Sequence, residues 1–177
     1  MKSSASTANG QEVPSSVVTK LTVLGATGSI GLNTLEIVRQ FPHKFKIEAL
    51  SCRSSIERLV EQIKEFQPRL VCVDNSEQAR ELRETFRDGN SGTETEFVWG
   101  VEGLVQVSSD PEVDLVVAGI VGAAGLQPTF SAVQAGKTVA VANKEPLVMA
   151  GELFVQTANK TGAKLLPTDS EHNAIFQ

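Results

Sequence analysis

Two carboxylates, those of Asp169 and Glu171, lie two positions apart just beyond a short apolar run near the carboxyl end of the sequence. Hard divalent cations bind oxygen ligands, and two carboxylates that converge from one turn are a typical beginning of such a site. Two carboxylates rarely complete a site, so we expect this stretch to supply only part of a divalent-cation centre. The alternative is that both acids, with Ser170 and Asn173, form the N-terminus of a helix that begins near His172.

A glycine-rich segment at 25–31, GATGSIG, joins the first predicted strand to the first predicted helix. Its GxxGxxG spacing differs from the commoner GxGxxG dinucleotide fingerprint, but the physical roles are shared. Gly25 allows a tight turn, Gly28 allows the backbone to approach a pyrophosphate, and Gly31 allows close contact between helix and strand. The amides at the start of the helix then face the phosphates. A glycine-rich turn without a ligand is the alternative.

The end of the second predicted strand distinguishes NADP(H) from NAD. An NAD site usually has an acid there, which binds the ribose 2′-hydroxyl. Here the strand end carries Arg53, Ser54 and Ser55, and the nearby acid, Glu48, lies inside the strand. An arginine and two serines supply the charge and the donors that a 2′-phosphate requires, so we expect NADP(H). The alternative is that Ser54 and Glu57 form a capping box while Arg53 is solvated.

A third motif, Asn143-Lys144-Glu145, follows a predicted strand and precedes a helix that has Pro146 in its first turn. A lysine in this place can pair with a substrate oxyanion, and Asn143 can hydrogen-bond the ribose or the amide of a cofactor. The alternative is a surface turn in which Asn143 caps the helix and both charged side chains are solvated.

These motifs must be positioned by short β-rich runs that alternate with longer helical runs from Lys20 onward. The predicted strands are 21–24, 45–51, 70–73, 97–99, 114–118, 138–142 and 163–166. The predicted helices are 29–41, 55–66, 77–87, 101–107, 128–135 and 146–159. Continuous Val, Leu and Ile runs separated by helices indicate a parallel sheet that is covered on both faces. The sequence therefore predicts a doubly wound, mostly parallel α/β fold of Rossmann type, with ligands beyond the carboxyl ends of the strands.

Composition sets limits on the partners. The 177 residues are 41% hydrophobic and 21% charged, with a net charge of −5, which argues against nucleic acid or a membrane as the main partner. A phosphate ligand must then be held locally, by backbone amides or a few cations. Residues 1–19 carry only Lys2 as a cation and no apolar core of a signal peptide, so we expect a disordered leader or tail. Cys52 and Cys72 are expected to be reduced, buried thiols of a cytosolic protein. The leader has no arginine, which argues against a plastid transit peptide.

Four stretches together closely resemble the N-terminal part of the 1-deoxy-D-xylulose 5-phosphate reductoisomerase family: GATGSIG at 25–31, AGIVGAAGLQPT at 118–129, AGKTVAVANKE at 135–145 and LLPTDSEHNAIFQ at 165–177. The resemblance implies an NADPH-dependent enzyme of the non-mevalonate isoprenoid pathway, which forms 2-C-methyl-D-erythritol 4-phosphate from 1-deoxy-D-xylulose 5-phosphate. It implies that Mg²⁺ or Mn²⁺ chelates two substrate oxygens during a carbon-skeleton rearrangement. Hydride from NADPH then reduces the resulting aldehyde.

The resemblance also implies a domain plan and roles for individual residues. Residues 20–162 would be the NADP(H)-binding domain, and 163–177 the start of a catalytic, metal-binding domain whose remainder is absent, so we expect the chain alone to be inactive and the full-length enzyme to be a homodimer. The implied contacts are with the cofactor phosphates (Thr27, Gly28, Ser29, Ile30), the nicotinamide half (Asn143, Glu145), the substrate (Lys144, Ser170, Glu171) and the metal (Asp169, Glu171). One departure is that the family commonly has Gly-Lys-Asn where this chain has Arg53-Ser54-Ser55, which moves the positive charge by one position.

Two other classes of dinucleotide-dependent enzyme need catalytic residues that this chain lacks or does not place near the nicotinamide. A short-chain dehydrogenase needs a Tyr/Lys pair, and this chain has no tyrosine. A semialdehyde dehydrogenase needs a nucleophilic cysteine near the nicotinamide. Cys52 is expected near the adenosine half and Cys72 inside the third strand, so neither is well placed. A non-catalytic NADP-binding module remains as the alternative from a different class.

Overall fold

The computed structural model describes residues 17–87 and 94–168. Seven strands in this part are β1 (Thr19–Leu24), β2 (Phe45–Ser51), β3 (Leu70–Val73), β4 (Glu96–Trp99), β5 (Leu115–Ala118), β6 (Thr138–Val141) and β7 (Lys164–Pro167). The helices are α1 (Ser29–Gln40), α2 (Ile56–Phe66), α3 (Ser76–Phe86), α4 (Gly100–Ser109), α5 (Leu126–Gln134) and α6 (Glu145–Thr161), with a 3-10 turn at Ala123–Gly125 before α5. The leader predicted at 1–19 lies largely outside the described residues.

The strands form one sheet in the order β4-β3-β2-β1-β5-β6-β7, and every pairing is parallel. From β1 the chain moves outward through β2, β3 and β4, and it then returns to place β5 on the other side of β1. The strand order thus reverses between β1 and β5, the kind of switch point at which open parallel sheets bind ligands. The predicted doubly wound fold is confirmed.

Two apolar layers cover the two faces of this sheet. Side chains of α1, α2 and α3 pack on one face, and side chains of α4, α5 and α6 pack on the other. Neighbouring residues of a strand alternate between the layers: Val71 and Val73 join the first layer, whereas Leu70 and Cys72 join the second. Both faces are buried, which explains the unbroken apolar runs of β3 and β5.

The ends of the helices have local causes. α2 ends at Phe66 because Gln67 adopts a left-handed conformation, with φ of 47°, and Pro68 follows. α3 begins with Asn75 as its cap, where the side chain accepts a hydrogen bond of 3.0 Å from the Gln78 amide. α6 extends two residues beyond the predicted end, to Thr161, and it contains one non-helical residue, Ala150, that no sequence signal marks.

The acid inside the second strand, Glu48, is buried and paired. Its carboxylate accepts a hydrogen bond of 2.9 Å from Nε of Arg69, and Nζ of Lys46 lies 3.4 Å away. Arg69 also bonds Asp110 at 2.5 Å and so connects β2 to the segment before β5. Because the Glu48 carboxylate is buried inside the sheet and held by Arg69, it is no candidate for a ribose ligand.

One face of α6 carries exposed apolar side chains, those of Val148, Met149, Leu153 and Val155. Phe154, on the opposite side, is fully buried against the sheet. No helix in the described part of the chain is long and apolar enough to cross a membrane.

We expect Arg69→Met to lower the free energy of unfolding by about 2 kcal/mol, because it leaves the buried Glu48 carboxylate without its main partner. The half-exposed position of Arg69 keeps the loss below that of a fully buried pair. The control is Arg80→Met, which removes an exposed pair at 3.9 Å from Glu77 and should change stability little. Equal losses in urea denaturation of both variants would contradict the role assigned to Arg69.

Candidate functional site: a crevice at the carboxyl ends of the strands

A crevice of about 730 Å³ opens at the switch point, beyond the carboxyl ends of β1, β2, β3 and β5. Three segments form most of its wall: the turn after β1, the turn after β2, and the loop after β5. Of the residues predicted from sequence as cofactor ligands, those that line the crevice are Gly25, Thr27, Gly28, Arg53, Ser54 and Ser55. The structure thus brings the glycine-rich segment after β1 and the polar segment after β2 together at one edge of the sheet.

Backbone conformation and close packing require glycine at two positions of the segment that follows β1. Gly25 has φ of +78°, a conformation that L side chains rarely adopt. A Cβ on Gly31 would lie 2.4 Å from the Gly25 oxygen and 2.5 Å from Cα of Ala26, so only glycine permits this approach of α1 to the turn. Both observations agree with the roles expected from the spacing. Gly28 begins the helix as its cap, and a Cβ there would make only an ordinary contact.

The N-terminus of α1 is available to an anion. The cap, Gly28, has no side chain to bond the first amides, and the first turn carries no acid. The first hydrogen bond that enters the helix runs from the Leu32 amide to the Gly28 oxygen, so the preceding amides of Ser29, Ile30 and Gly31 lack helical acceptors. Free amides combined with the positive end of the helix dipole favour a negatively charged group at this end.

The turn is also bonded to the tip of β2. The Gly25 amide donates to Oγ of Ser51 at 3.0 Å, and the Ala26 amide donates to the Ser51 oxygen at 2.8 Å. The hydroxyl of Thr27 lies 3.3 Å from Sγ of Cys52. Ser51 and Cys52, which sequence reasoning did not assign to the site, therefore fix the turn beside the exposed Arg53.

The capping box considered as an alternative for Ser54 and Glu57 is not formed. α2 begins at Ile56 with Ser55 as its cap, and no side chain of the cap bonds the helix. The hydroxyls of both serines and the guanidinium of Arg53 are thus left on the exposed wall of the crevice.

The loop after β5, which begins at Gly119, forms the opposite wall and contains a second glycine triplet. Gly119, Gly122 and Gly125 follow β5 at the same spacing as the first triplet, a signal in the sequence that could have revealed this wall. The Gly119 amide donates to the Leu24 oxygen at 3.0 Å, and a Cβ on Gly119 would lie 2.9 Å from that oxygen. The tips of β1 and β5 can approach this closely only because no side chain intervenes.

Asn143, of the third sequence motif, is buried and hydrogen-bonded within the protein. Its Nδ2 donates to the Ile120 oxygen at 2.7 Å and to the Gly122 oxygen at 3.4 Å, and its Oδ1 accepts from the Glu145 amide at 3.3 Å. Asn143 thus ties the start of α6 to the loop after β5. Asn143, Lys144 and Glu145 lie at the tip of β6 and do not line the 730 Å³ crevice.

The predicted metal and substrate ligands Asp169, Ser170 and Glu171 lie outside the described residues. The last described residue, Thr168, donates its amide to the Val141 oxygen at 3.1 Å, so the chain leaves the sheet beside the tip of β6. Within residues 17–87 and 94–168, no group of three or more His, Cys, Asp or Glu side chains is placed to hold a metal ion.

Both cysteines are free and buried. Burial, with a smaller contribution from the carboxylate of Asp74, raises the pKa of Cys72 to about 12, so this thiol stays protonated at neutral pH. A protonated thiol inside the sheet is a poor nucleophile, which argues against an enzyme that depends on Cys72.

Sequence and structure comparisons agree on one family. A family model described as 1-deoxy-D-xylulose 5-phosphate reductoisomerase matches residues 21–151. The protein of that description from Dechloromonas aromatica is 52% identical over 163 residues, which are 92% of this chain and 40% of the relative. That from Glaesserella parasuis is 49% identical over 158 residues, 89% of this chain and 39% of the relative. The chain thus spans about 40% of the length of these curated relatives.

Solved structures give the same result. A DOX-P reductoisomerase in complex with NADPH, fosmidomycin and magnesium is 48% identical, with a TM-score of 0.85 over 90% of this chain and 38% of that one. The 1-deoxy-D-xylulose 5-phosphate reductoisomerase of Zymomonas mobilis, in complex with NADPH, is 37% identical, with a TM-score of 0.83 over 91% of this chain and 41% of that one.

We expect Gly31→Ala to destabilise the protein by about 1–3 kcal/mol, because the added methyl group would overlap the backbone of the turn. Gly151→Ala is the matched control, since a Cβ at this position in α6 meets nothing within 4 Å. It should leave stability unchanged or raise it by up to about 1 kcal/mol. Thermal unfolding of the two variants compares them directly, and a Gly31→Ala variant as stable as Gly151→Ala would refute the tight packing.

Proposed function

The chain belongs to the 1-deoxy-D-xylulose 5-phosphate reductoisomerase family, and on this premise we propose that it forms the NADPH-binding part of such an enzyme. The observation that carries the proposal is the crevice itself. A glycine-rich turn, a helix start with free amides, and an arginine on the adjoining wall all meet at the switch point of a parallel sheet. Two related structures contain NADPH, which supports the same assignment.

The pyrophosphate of NADPH is proposed to lie against the turn after β1, at Thr27, Gly28, Ser29 and Ile30. Thr27, Ser29 and Ile30 offer backbone amides and two hydroxyls, whereas the Gly28 amide already donates to the Gly25 oxygen at 3.1 Å. A chain with a net charge of −5 attracts no anion as a whole, so binding must depend on these local donors. Gly25 and Gly31 fit this proposal because side chains there would displace the turn.

The 2′-phosphate is proposed to lie at the tip of β2, against Arg53, Ser54 and Ser55. These residues are exposed on the wall of the crevice, and the guanidinium suits a phosphate because it is planar and permanently charged. One acid also lines the crevice, Asp74, but it follows β3, one strand farther from the glycine turn. This arrangement favours NADPH over NADH.

The nicotinamide half and the substrate are proposed to lie toward the tip of β6. Asn143 and Glu145 are proposed to contact the nicotinamide half, and Lys144, Ser170 and Glu171 the substrate, 1-deoxy-D-xylulose 5-phosphate. Asn143 is proposed to act indirectly as well, since its amide positions the loop after β5. Bound in this orientation, NADPH supplies the hydride for a reduction.

A divalent cation, Mg²⁺ or Mn²⁺, is proposed to be held by Asp169 and Glu171, and three related structures contain magnesium. Carboxylate oxygens suit these hard cations, and such a cation supplies Lewis acidity to the oxygens of the substrate. The product of the whole enzyme would be 2-C-methyl-D-erythritol 4-phosphate.

Two proposals concern the whole protein rather than the crevice: that it is a homodimer, and that it works in the cytoplasm, a reducing compartment that suits the two free thiols.

We expect a polypeptide of these 177 residues to bind NADPH without converting 1-deoxy-D-xylulose 5-phosphate. The reason is that the chain spans about 40% of the length of its relatives, and the two proposed metal ligands, Asp169 and Glu171, rarely complete a divalent-cation site alone. Fluorescence titration measures the binding, and NADPH oxidation in the presence of substrate and Mg²⁺ measures turnover. Absence of NADPH binding would contradict the proposed function. Substrate-dependent NADPH oxidation would contradict the expectation that this polypeptide has no turnover by itself.

We expect Arg53→Ala to weaken NADPH binding about tenfold while leaving NADH binding nearly unchanged, because only NADPH carries the 2′-phosphate that loses a charged partner. Arg87→Ala is the control, since Arg87 is equally exposed but follows α3 away from the crevice lining. Equal losses of affinity for NADPH and NADH would show that Arg53 does not bind the 2′-phosphate.

A further inference from the structure

We propose that Gln62, a residue of α2 that does not line the crevice, is a positioning residue that holds the phosphate-binding turn in its binding conformation. This inference rests on the proposed binding of a pyrophosphate by the turn after β1. It concerns how the backbone of that turn is oriented, a task that neither the glycines nor the helix dipole can perform alone.

The side chain of Gln62 is buried and points at the turn. It is 3% exposed, and its Nε2 donates a hydrogen bond of 3.0 Å to the oxygen of Ala26. The other end of the same amide, Oε1, is buried without a hydrogen-bond partner. An unpaired buried oxygen costs stability, so an apolar side chain of the same size would suit the packing better. Packing therefore does not account for an amide at this place, whereas the bond to Ala26 does.

The bond to Ala26 determines where the next amide points. In a trans peptide the C=O and the following N–H project in opposite directions from one rigid plane. Fixing the oxygen of Ala26 toward α2 therefore turns the N–H of Thr27 away from α2, and Thr27 lines the crevice. If this peptide plane rotated, a carbonyl oxygen would face the phosphates in place of an N–H donor.

A second side chain of α2 acts on the adjoining peptide. Nη1 of Arg58 donates a hydrogen bond of 3.2 Å to the oxygen of Thr27. Arg58 and Gln62 are four residues apart, so both face the turn from one side of the helix. Arg58 is exposed and its contact is longer, so the buried Gln62 is the principal restraint.

The test uses Gln62→Met, which keeps the length of the side chain and removes its donor. We expect the Kd for NADPH to rise about tenfold, the loss of one well-placed donor to the phosphates. The Kd for 2′-AMP should stay within about twofold, because this ligand carries the adenosine 2′-phosphate but no pyrophosphate. A Kd for NADPH within about twofold of the wild type would overturn the inference.

A matched control separates positioning from stability. Thr22 is a buried residue of β1 whose hydroxyl donates to the Val107 oxygen at 2.7 Å, away from the turn. Thr22→Val should lower the melting temperature and leave the Kd for NADPH unchanged. If both variants weaken NADPH binding equally, the effect is one of stability and the inference fails. If the wild type itself does not bind NADPH, the proposed function fails first.

A second variant decides the matter if Gln62→Met does not fold. In Gln62→Glu the carboxyl can donate to Ala26 only while protonated, and burial extends that state to higher pH. We expect the affinity for NADP⁺, relative to wild type, to fall as pH rises from about 5.5 to about 8, through the ionisation of a buried carboxyl. Parallel pH profiles for the variant and the wild type would overturn the proposal.

Discussion

Backbone-to-backbone contact at the switch point is the constraint on which the rest of the structure depends. α1 approaches the turn after β1 so closely that a methyl group on Gly31 would lie 2.4 Å from the oxygen of Gly25. The tips of β1 and β5 also meet closely, since a Cβ on Gly119 would lie 2.9 Å from the Leu24 oxygen. These contacts set the direction of α1 and the width of the crevice. They also place Gly28, the cap of α1, on the wall of the crevice.

The electrostatics of the crevice follow from local features rather than from the charge of the chain. The protein is acidic overall, yet α1 begins with a bare glycine cap and no acid in its first turn. The neighbouring helices α2 and α3 do carry acids there, Glu57 and Glu77. The net negative charge of the protein disfavours the binding of a phosphate group. Within a few ångströms of the crevice, oriented backbone amides and Arg53 oppose this effect.

Much of this architecture could be predicted from the sequence because its signals are local. The bounds of β2 and β3 coincide with their apolar runs, and Pro68 marks the region where α2 ends. The glycine spacing predicted the turn and the tight helix contact for the same reason. What could not be predicted depends on contacts across the fold. The bond from Gln62 to Ala26 joins residues 36 positions apart, and no local pattern reveals that the amide faces the turn. The engagement of Asn143 by the loop after β5 is equally non-local, and it shows why a residue with a proposed ligand role can first serve the scaffold.

The strand order has a consequence for the emergence of the protein from the ribosome. β1 lies in the interior of the sheet, but the segment that completes its second edge is made late: the amide of Lys20 bonds the side chain of Asp114, 94 residues further along. During that interval β1 has β2 on one side and an open row of backbone donors and acceptors on the other, a state prone to mispairing with other chains. The nascent chain therefore needs shielding until β5 has been translated, and no ligand can assist before then, because the wall of the crevice that follows β5 does not yet exist.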